Sequence, residues 1–293
     1  MGTPAAEVEV DEQQARQLLA AQHPDLAHLR VVPIASGWDN CMLRLGDQLA
    51  LRFPRRKLAA QLMRHEQRWL PHLKDRLPLE VPAPIRVGVA QYHYPWDWSV
   101  TPWIDGETAD LAPPDSSQGD VLAAFFEALH TPAPADAPQN PYRGMPLSER
   151  ANDFADRVAK LEGRTSVLDE RVHALWRDAL AAENDAPPTW IHGDLHPRNV
   201  LVRNGRLTGV IDWGDMARGD RASDLAAVWM LLPQLASRRR ALAGCRSVSV
   251  ATWRRARGWA LLYSVILLGA GLVDDARMVA IAERTLSRLW EGP

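Results

Sequence analysis

A two-residue turn, Asn204-Gly205, lies between two short runs of aliphatic residues and sets the register of a hairpin. Asn-Gly is the strongest short-range hairpin signal, because a type I′ turn requires positive φ at both central residues. The turn therefore predicts that Arg203 pairs with Arg206. A β-hairpin is thus expected within a half of the chain whose other patterns are mainly helical.

The predicted register brings two possible metal ligands together. Continued from the turn, it places Asn199 opposite Val210, and side chains alternate between the faces of a strand. Asn199 and Asp212 should then be diagonal neighbours on one face, within about 7–8 Å. An amide oxygen and a carboxylate, with room for water and phosphate oxygens, form the ligand set that Mg²⁺ prefers when it is shared with a nucleotide.

The residues just before this hairpin complete a recognisable order of functional groups. They read His192-Gly193-Asp194-Leu195-His196-Pro197-Arg198-Asn199, and Ile211-Asp212-Trp213 follows the hairpin. In this layout the first Asp receives the proton of an acceptor hydroxyl, while Asn and the second Asp hold Mg²⁺. The combined motif resembles that of the aminoglycoside phosphotransferase family, the antibiotic kinases that share the protein-kinase fold.

Two other interpretations of the motif remain open at this stage. In one, Asp194 caps a turn, His192 and His196 are loop histidines, and Asp212 is a surface acid. In the other, His192, Asp194, His196 and Asp212 bind a transition metal in a hydrolase site.

The N-terminal third has the pattern of a small sheet that carries a helix. Helices are predicted over residues 11–22 and 58–70, with Pro71 ending or kinking the second. Strands are predicted over residues 31–35, 41–45, 49–53, 85–89 and 98–103. This third is therefore expected to be a five-stranded antiparallel sheet with a helix.

Helical patterns dominate after the break at Ile104-Asp105-Gly106-Glu107. Helices are predicted over residues 120–130, 147–161, 167–183 and 221–232, and two more from residue 251 to the C-terminus. The sequence thus predicts an α+β protein with two lobes: an N-lobe over residues 1–103 that binds nucleotide, and a mainly α C-lobe over residues 104–293. The C-lobe would carry the catalytic hairpin and the acceptor-binding helices.

The third predicted strand reads Leu49-Ala50-Leu51-Arg52 and has the alternation of the kinase Val-Ala-Ile-Lys strand. Ala50 and Arg52 share a face, with a small residue beneath the adenine and a cation toward the phosphates. The cation is Arg instead of Lys, and a guanidinium binds phosphate bidentately and stays charged. Glu66, on the following helix, is the carboxylate expected to pair with Arg52.

Two further segments are candidates for contacts with nucleotide. Ser36 and Gly37 begin the turn expected to cover the phosphates, although any β-turn could have this composition. Trp103 and Ile104 lie at the predicted hinge, where the backbone is expected to hydrogen-bond the adenine.

The resemblance extends over nearly the whole chain and implies an ATP- or GTP-dependent O-phosphotransferase with Mg²⁺ as cofactor. Asp194 would be the catalytic base, and His192 and His196 would support its loop. In such enzymes the acid equivalent to Asp224 braces the catalytic loop, a role suggested also by an N-capping position before residues 225–232. Arg221 departs from the family, which often has proline there.

The acceptor is less sharply defined than the reaction. The resemblance implies an aminoglycoside-type antibiotic, and hence a role in resistance, because macrolide kinases often have His where this chain has Asn199. The candidate substrate-binding acids are Asp153, Asp156 and Asp215. A macrolide, a homoserine-, choline- or fructosamine-type metabolite, and a degenerate kinase that only binds nucleotide remain alternatives.

Charge and composition limit the classes of partner and the cellular compartment that we expect for this protein. The formal net charge is −2 and 46% of residues are hydrophobic, which argues against a nucleic-acid partner. No basic or apolar leader precedes the acidic start, and the apolar stretch over residues 259–273 is shorter than a membrane span. A cytoplasmic protein without a disulfide between Cys41 and Cys245 is expected, as a monomer or a dimer.

Overall fold

The computed structural model describes residues 5–292, leaving aside the side chains of residues 35 and 36. These residues form two compact units: residues 5–75 and 80–105 make up one, and residues 76–79 and 106–292 the other. The first is called the sheet unit below and the second the helical unit. The change of unit after Asp105 falls two residues beyond the boundary that the sequence pattern suggested.

The sheet unit contains a five-stranded antiparallel sheet in the order β1-β2-β3-β5-β4. Its strands are β1 (Val31–Ser36), β2 (Asn40–Leu45), β3 (Leu49–Pro54), β4 (Arg86–Gly88) and β5 (Trp98–Pro102), and its helices are α1 (Glu12–Gln22) and α2 (Lys57–Leu73). Alternate residues of the central strands, such as Leu43, Leu51 and Val100, are fully buried and form the core with Phe53 and Trp98. The predicted five-stranded sheet is therefore present.

The end of α2 differs from the prediction. The helix continues through Pro71 to Leu73, so it does not end at the proline. Proline lacks the N–H that would donate to the carbonyl four residues earlier, so α2 loses one hydrogen bond. The turn around it is still closed, because the N–H of Lys74 donates to the Leu70 carbonyl. Leu70 and Leu73 are both buried on the same face, and their packing keeps the last turn helical.

The helical unit is built from eight helices and five short strands among the described residues. The helices are α3 (Gln118–Leu129), α4 (Ala151–Leu161), α5 (Glu170–Leu180), α6 (Ala222–Leu225), α7 (Ala227–Leu231), α8 (Leu235–Gly244), α9 (Val250–Asp274) and α10 (Ala276–Trp290), and the strands are β6 (Glu107–Thr108), β7 (Thr189–Ile191), β8 (Val200–Arg203), β9 (Arg206–Val210) and β10 (Ala217–Gly219). Strands β6, β8 and β9 form one small sheet, and β7 pairs with β10.

Several predicted helices have different bounds. The segment 147–161 begins with a 3-10 turn at Leu147–Arg150, and the helix predicted over 167–183 is confined to α5. The single helix predicted over 221–232 is two short helices that meet at Ala226, and α8 was not predicted. The pattern of α8 is weak because its buried residues include Ser237 and Arg238, which a hydrophobic period does not detect.

By length and composition, α9 could cross a membrane, but 67% of its most apolar window is buried inside the protein. It packs against α4, α5, α6 and α10. A core helix of a helical unit can have this composition, because most of its apolar surface is covered by neighbouring helices.

Candidate active site

The hairpin β8–β9 begins as the sequence predicted and then departs from the predicted register. Asn204 and Gly205 both have positive φ, 52° and 73°, and Arg203 pairs with Arg206. A β-bulge opposite the step from Leu201 to Val202 then shifts the register, so that Val200 pairs with Val210.

The bulge corrects the argument for a shared strand face. Asn199 ends a 3-10 turn before β8, and its carbonyl accepts the N–H of Ile211 at 2.9 Å. Asn199 therefore lies opposite Ile211 and not Val210. Asp212 follows Ile211 in the chain, so strand alternation no longer puts it on the face of Asn199, and the predicted diagonal pairing of the two ligands is not supported by this register.

Asp194 lies in the loop between β7 and β8, with 23% of its side chain exposed. Arg143 donates to its Oδ1 at 3.1 Å, and His196 Nε2 lies 3.4 Å from its Oδ2. Burial alone would raise the pKa of this carboxyl, but His196 and Arg143 outweigh burial and hold the pKa below its ordinary value. Asp194 is thus ionised at neutral pH, as a proton acceptor must be.

The hydrogen bonds of the two loop histidines fix their tautomers. His192 Nδ1 accepts the N–H of Asp194 at 3.2 Å, so the proton lies on Nε2, which donates to the Ile211 carbonyl at 3.0 Å. His196 Nδ1 accepts the N–H of Arg198 at 3.1 Å. Burial, although partly opposed by Asp224 and Asp194, lowers the pKa of His192, so this ring is neutral.

These contacts argue against the transition-metal alternative. Both ring nitrogens of His192 are occupied by backbone groups, so His192 is not available as a metal ligand. Across residues 5–292, no group of three or more His, Cys, Asp or Glu side chains is arranged to hold a metal ion.

Asp224 fixes the backbone of this loop through hydrogen bonds to its carboxylate. Its fully buried carboxylate accepts the N–H of His192 at 2.7 Å and that of Gly193 at 2.9 Å, and it contacts His130 Nε2 at 3.2 Å. The predicted N-capping role is wrong, because Asp224 lies inside α6 and Ala226 precedes α7. The carboxylate instead accepts hydrogen bonds from loop amides that would otherwise be buried without a partner.

Asn199 and Asp212 fit a hard divalent cation by the chemistry of their donor atoms. Asn199 Nδ2 donates to the Asp194 carbonyl at 2.9 Å, which leaves the amide oxygen, the atom that Mg²⁺ binds, on the opposite side of the group. Asp212 is exposed and has left-handed backbone angles, φ 61° and ψ 67°. Such angles are rare for residues other than glycine and concentrate at functional sites.

Asp215 is a second carboxyl close to Asp194. Asn140 Nδ2 donates to its Oδ1 at 2.6 Å, and a Cβ at Gly193 would lie 2.5 Å from its carbonyl oxygen. Burial first, and then the charge of Asp194, raise the pKa of Asp215 above its ordinary value.

The raised pKa of Asp215 leads to a prediction about stability. The folded protein binds this proton more tightly than the unfolded chain does, so the carboxyl favours folding at low pH and disfavours it once the pH rises through the raised pKa. Asp215→Asn keeps the acceptor for Asn140 and should increase the free energy of unfolding at pH 7. The gain should vanish below about pH 4, where the unfolded carboxyl is also protonated. Urea unfolding across this pH range checks it, and equal stability of both proteins at pH 7 would contradict the prediction.

In the sheet unit, Arg52 and Glu66 form a buried ion pair. Arg52 Nη2 donates to Glu66 Oε1 at 3.0 Å, Nη1 contacts the other carboxylate oxygen, and the residues are 4% and 1% exposed. Ala50 is also buried and pairs with Thr101 of β5. A fork-to-fork geometry fixes the guanidinium in one orientation.

The other proposed nucleotide contacts are also in the sheet unit. Ser36 ends β1, opposite Cys41, and the N–H of Gly37 donates to the Asn40 carbonyl at 2.9 Å. The N–H of Trp103 donates to the Gln48 carbonyl at 2.7 Å, so this donor is already used and does not serve an adenine. Ile104 is buried.

Two of the candidate acceptor-binding acids lie on α4. Asp153 has one oxygen bound by Arg150 at 2.6 Å and the other by Arg157 at 2.8 Å, which neutralises its charge and leaves it poorly suited to bind a polycation. Asp156 is exposed. Asp215 is the candidate that the structure brings close to Asp194.

Sequence reasoning missed four residues of the site: Arg143, Asn140, His130 and Tyr263. Tyr263 of α9 donates to the Gly193 carbonyl at 2.9 Å, and Arg143 lies over its ring at 5.1 Å. They are separated from Asp194 by more than fifty residues, and no spacing in the sequence connects them to the loop.

The elements described above define a class of protein. In the sheet unit, Arg52 of a five-stranded antiparallel sheet forms a buried pair with Glu66 of a helix. In the helical unit, Asp194 and Asn199 precede a small hairpin and Asp212 follows it. This is the architecture of a protein-kinase-like phosphotransferase.

Comparison with known proteins identifies the family. Residues 30–259 match the model of the phosphotransferase enzyme family, and the chain belongs to that family. An aminoglycoside 3′-phosphotransferase of Escherichia coli is 30% identical over 145 residues, which cover 46% of this chain and 52% of the relative. The chain thus spans about half the length of the curated relatives it matches.

Solved structures show the same fold over nearly the full chain. The GDP complex of an aminoglycoside 2′-phosphotransferase matches with a TM-score of 0.66 and 20% identity, covering 97% of this chain and 100% of the other. The apoenzyme of a macrolide 2′-phosphotransferase from Brachybacterium faecium matches with a TM-score of 0.60 and 20% identity, covering 96% and 98%. These similarities support the α+β kinase-like fold.

Proposed function

We propose that this chain is an ATP- or GTP-dependent O-phosphotransferase that acts on a hydroxyl of a small molecule, with an aminoglycoside-type antibiotic as the leading acceptor. The observation that carries the proposal is the ionised Asp194 in a loop whose backbone is held by Asp224 and whose Asp194 carbonyl accepts a hydrogen bond from Asn199. Named relatives that phosphorylate aminoglycosides support the choice of acceptor.

Each residue has a definite task in this mechanism. Asp194 accepts a hydrogen bond from the acceptor hydroxyl and receives its proton as the oxygen attacks the γ-phosphorus, while the bond to the leaving nucleoside diphosphate breaks. Asn199 and Asp212 would hold Mg²⁺, which neutralises phosphate charge when bound. Arg52, oriented by Glu66, would bind the α- and β-phosphates from the sheet unit.

Phosphoryl transfer requires positioning more than covalent chemistry from the protein. The rigid parts of the site agree with that requirement: two backbone N–H groups are bound to Asp224, and the Gly193 carbonyl is bound to Tyr263. Both interactions fix the loop from buried positions. We further propose a cytoplasmic location, where nucleoside triphosphates are available.

An assay of nucleoside diphosphate release with Mg²⁺ across a panel of acceptors tests the function. Aminoglycosides, macrolides, tuberactinomycins and simple metabolite alcohols are compared with ATP and with GTP. Release that depends on one class of acceptor supports the proposal and names the acceptor. Nucleotide binding without release for any acceptor would favour a nucleotide-binding protein, the alternative that Arg52 in place of Lys raises.

A macrolide is the second candidate acceptor, since the macrolide 2′-phosphotransferase has the same fold. A macrolide carries fewer ammonium groups than an aminoglycoside, and the ion pairs of Asp153 and Asp194 reduce the negative charge that these two acids offer to a polycation. The panel of acceptors described above distinguishes an aminoglycoside acceptor from a macrolide acceptor.

Asp212→Ala should remove most of the Mg²⁺ dependence of nucleotide binding. If the carboxylate holds the cation, adding Mg²⁺ will tighten ATP or GTP binding to the wild type but will affect the variant at least about tenfold less. Calorimetric titration with and without Mg²⁺ measures this difference. Asp120→Ala removes an exposed acid from α3 and should retain the full effect. Equal Mg²⁺ dependence in Asp212→Ala and wild type would rule out this ligand.

A further inference from the structure

The helical unit contains a cavity of about 390 Å³ that shares Arg143 with the Asp194 site. Its wall is formed by the loop at residues 139–146, by residues 184–188 before β7, and by residues 218–220 at the end of β10. Asp194 itself is not part of the wall. One guanidinium therefore contacts both the proposed base and a separate cavity.

Two arginines of this wall carry N–H groups without acceptors. The Nε atoms of Arg143 and Arg218 are buried, and neither has a hydrogen-bond partner among the described residues. The backbone of Arg218 is fixed, because its N–H donates to the Pro138 carbonyl at 2.8 Å and the residue pairs with Trp190. A guanidinium does not lose its proton in a protein, so these donors stay charged and need an acceptor.

The acids of the wall do not supply that acceptor. Asp220 is bound by Arg255, with distances of 2.8 Å from Nε to Oδ2 and 3.2 Å from Nη2 to Oδ1, and its Oδ1 also accepts the N–H of Ala222. Glu149 is exposed, so its charge is screened by water. Because Arg143 already pairs with Asp194, the positive charge of the wall that has no partner among the described residues is that of Arg218.

Neutral donors lie in the same wall. Asn184 and Gln139, whose side chains carry amide groups, also line the cavity, and both residues are exposed. Planar guanidinium groups recognise carboxylate and phosphate through paired N–H donors. The charge, the buried donors and the volume all match a small oxyanion.

We infer that this cavity binds the carboxylate or phosphate group of a small ligand through Arg143 and Arg218. Binding itself does not depend on the proposed function. Only the source of the oxyanion rests on it, because the group can belong to the acceptor, whose hydroxyl would lie at Asp194, or to a separate anion.

Calorimetric titration with malonate and with inorganic phosphate, without nucleotide or Mg²⁺, tests the binding. The wild type should bind malonate, and Arg218→Gln should weaken that binding at least about tenfold, the effect of losing a charge-assisted hydrogen bond. Arg218→Lys keeps the charge but not the planar fork and should lie between the two. Malonate is the primary probe, because phosphate also resembles part of the nucleotide.

A matched control separates a local effect from a change in overall charge. Arg239→Gln removes one exposed guanidinium from α8 and should bind malonate as the wild type does. Thermal unfolding of each variant shows whether it is folded. The inference is overturned if the wild type binds neither anion, if Arg218→Gln binds malonate as well as the wild type, or if Arg239→Gln loses as much affinity as Arg218→Gln.

Steady-state kinetics identifies the source of the oxyanion. If it belongs to the acceptor, Arg218→Gln will raise KM for hydroxy acids or sugar phosphates at least about tenfold and leave kcat unchanged. If it is a separate anion, the variant will lose malonate binding with no change in KM. Malonate binding without turnover of any acceptor would remove the proposed function and leave this inference in place.

Discussion

Asp194→Asn should lower kcat by about 10²–10⁴ and leave nucleotide affinity unchanged. The amide keeps the shape of the carboxylate and an oxygen for Arg143, which donates to Oδ1 at 3.1 Å, but it cannot take a proton from an acceptor hydroxyl. The lowered pKa of Asp194 means that the base is already ionised at neutral pH, so the loss should be equally large across the neutral range. Acceptor-dependent diphosphate release measures the loss of kcat, and nucleotide titration measures the affinity for nucleotide.

The control for this variant is Asp120→Asn on α3. Its carboxylate is 61% exposed and pairs with Arg240, so the same chemical change should leave kcat within about twofold of the wild type. Turnover in Asp194→Asn comparable to that of the wild type would show that Asp194 is not the base.

Asp224→Asn should destabilise the helical unit by about 3–5 kcal/mol, because a buried charged acceptor is replaced by a group that donates on one side. One N–H of the pair His192 and Gly193 would then face an amide N–H instead of an oxygen. The loop that carries Asp194 should lose its fixed position, so kcat should fall as well. Urea unfolding gives the free energy, and the release assay gives kcat.

The control for Asp224→Asn is Asp178→Asn, which changes an exposed ion pair with Arg254 in the same chemical way. An exposed pair of this kind contributes about 0–1 kcal/mol, so the two substitutions should differ by several fold. A loss of less than about 1 kcal/mol in Asp224→Asn would mean that the loop amides find other acceptors.

Over a few residues of the chain, the sequence predicted the turn of the hairpin correctly. The Asn204-Gly205 turn has the two positive φ angles that its residue types favour, and the first pair of the hairpin is Arg203 with Arg206. The prediction failed beyond Val202, because a β-bulge adds one residue to one strand and moves every later pair. Bulges leave little local trace in a sequence, whereas turn residues are required by their own backbone angles.

The family motif was also readable, because its residues are close together in the chain. The resemblance also gave Asp224 its role of bracing the loop, and the structure shows its carboxylate bound to two loop amides. What the sequence did not supply is the pair of distant groups that hold the Asp194 segment: Tyr263 on the Gly193 carbonyl and Arg143 on the Asp194 carboxylate. These contacts arise from the packing of α6, α9 and the 131–146 loop around one segment.

By itself, then, the sequence determined the α+β class, the five strands of the sheet unit, the type of turn in the hairpin and the order of the candidate catalytic groups. Each of these follows from local preferences of the backbone or from periodic burial, which act over a few residues. Only the tertiary structure decided the register beyond the bulge, the ion pairs of Asp153 and the pairing of Arg143 with Asp194. Those features depend on which side chains the fold brings within hydrogen-bond distance, and residues far apart in the chain carry no local signal of that.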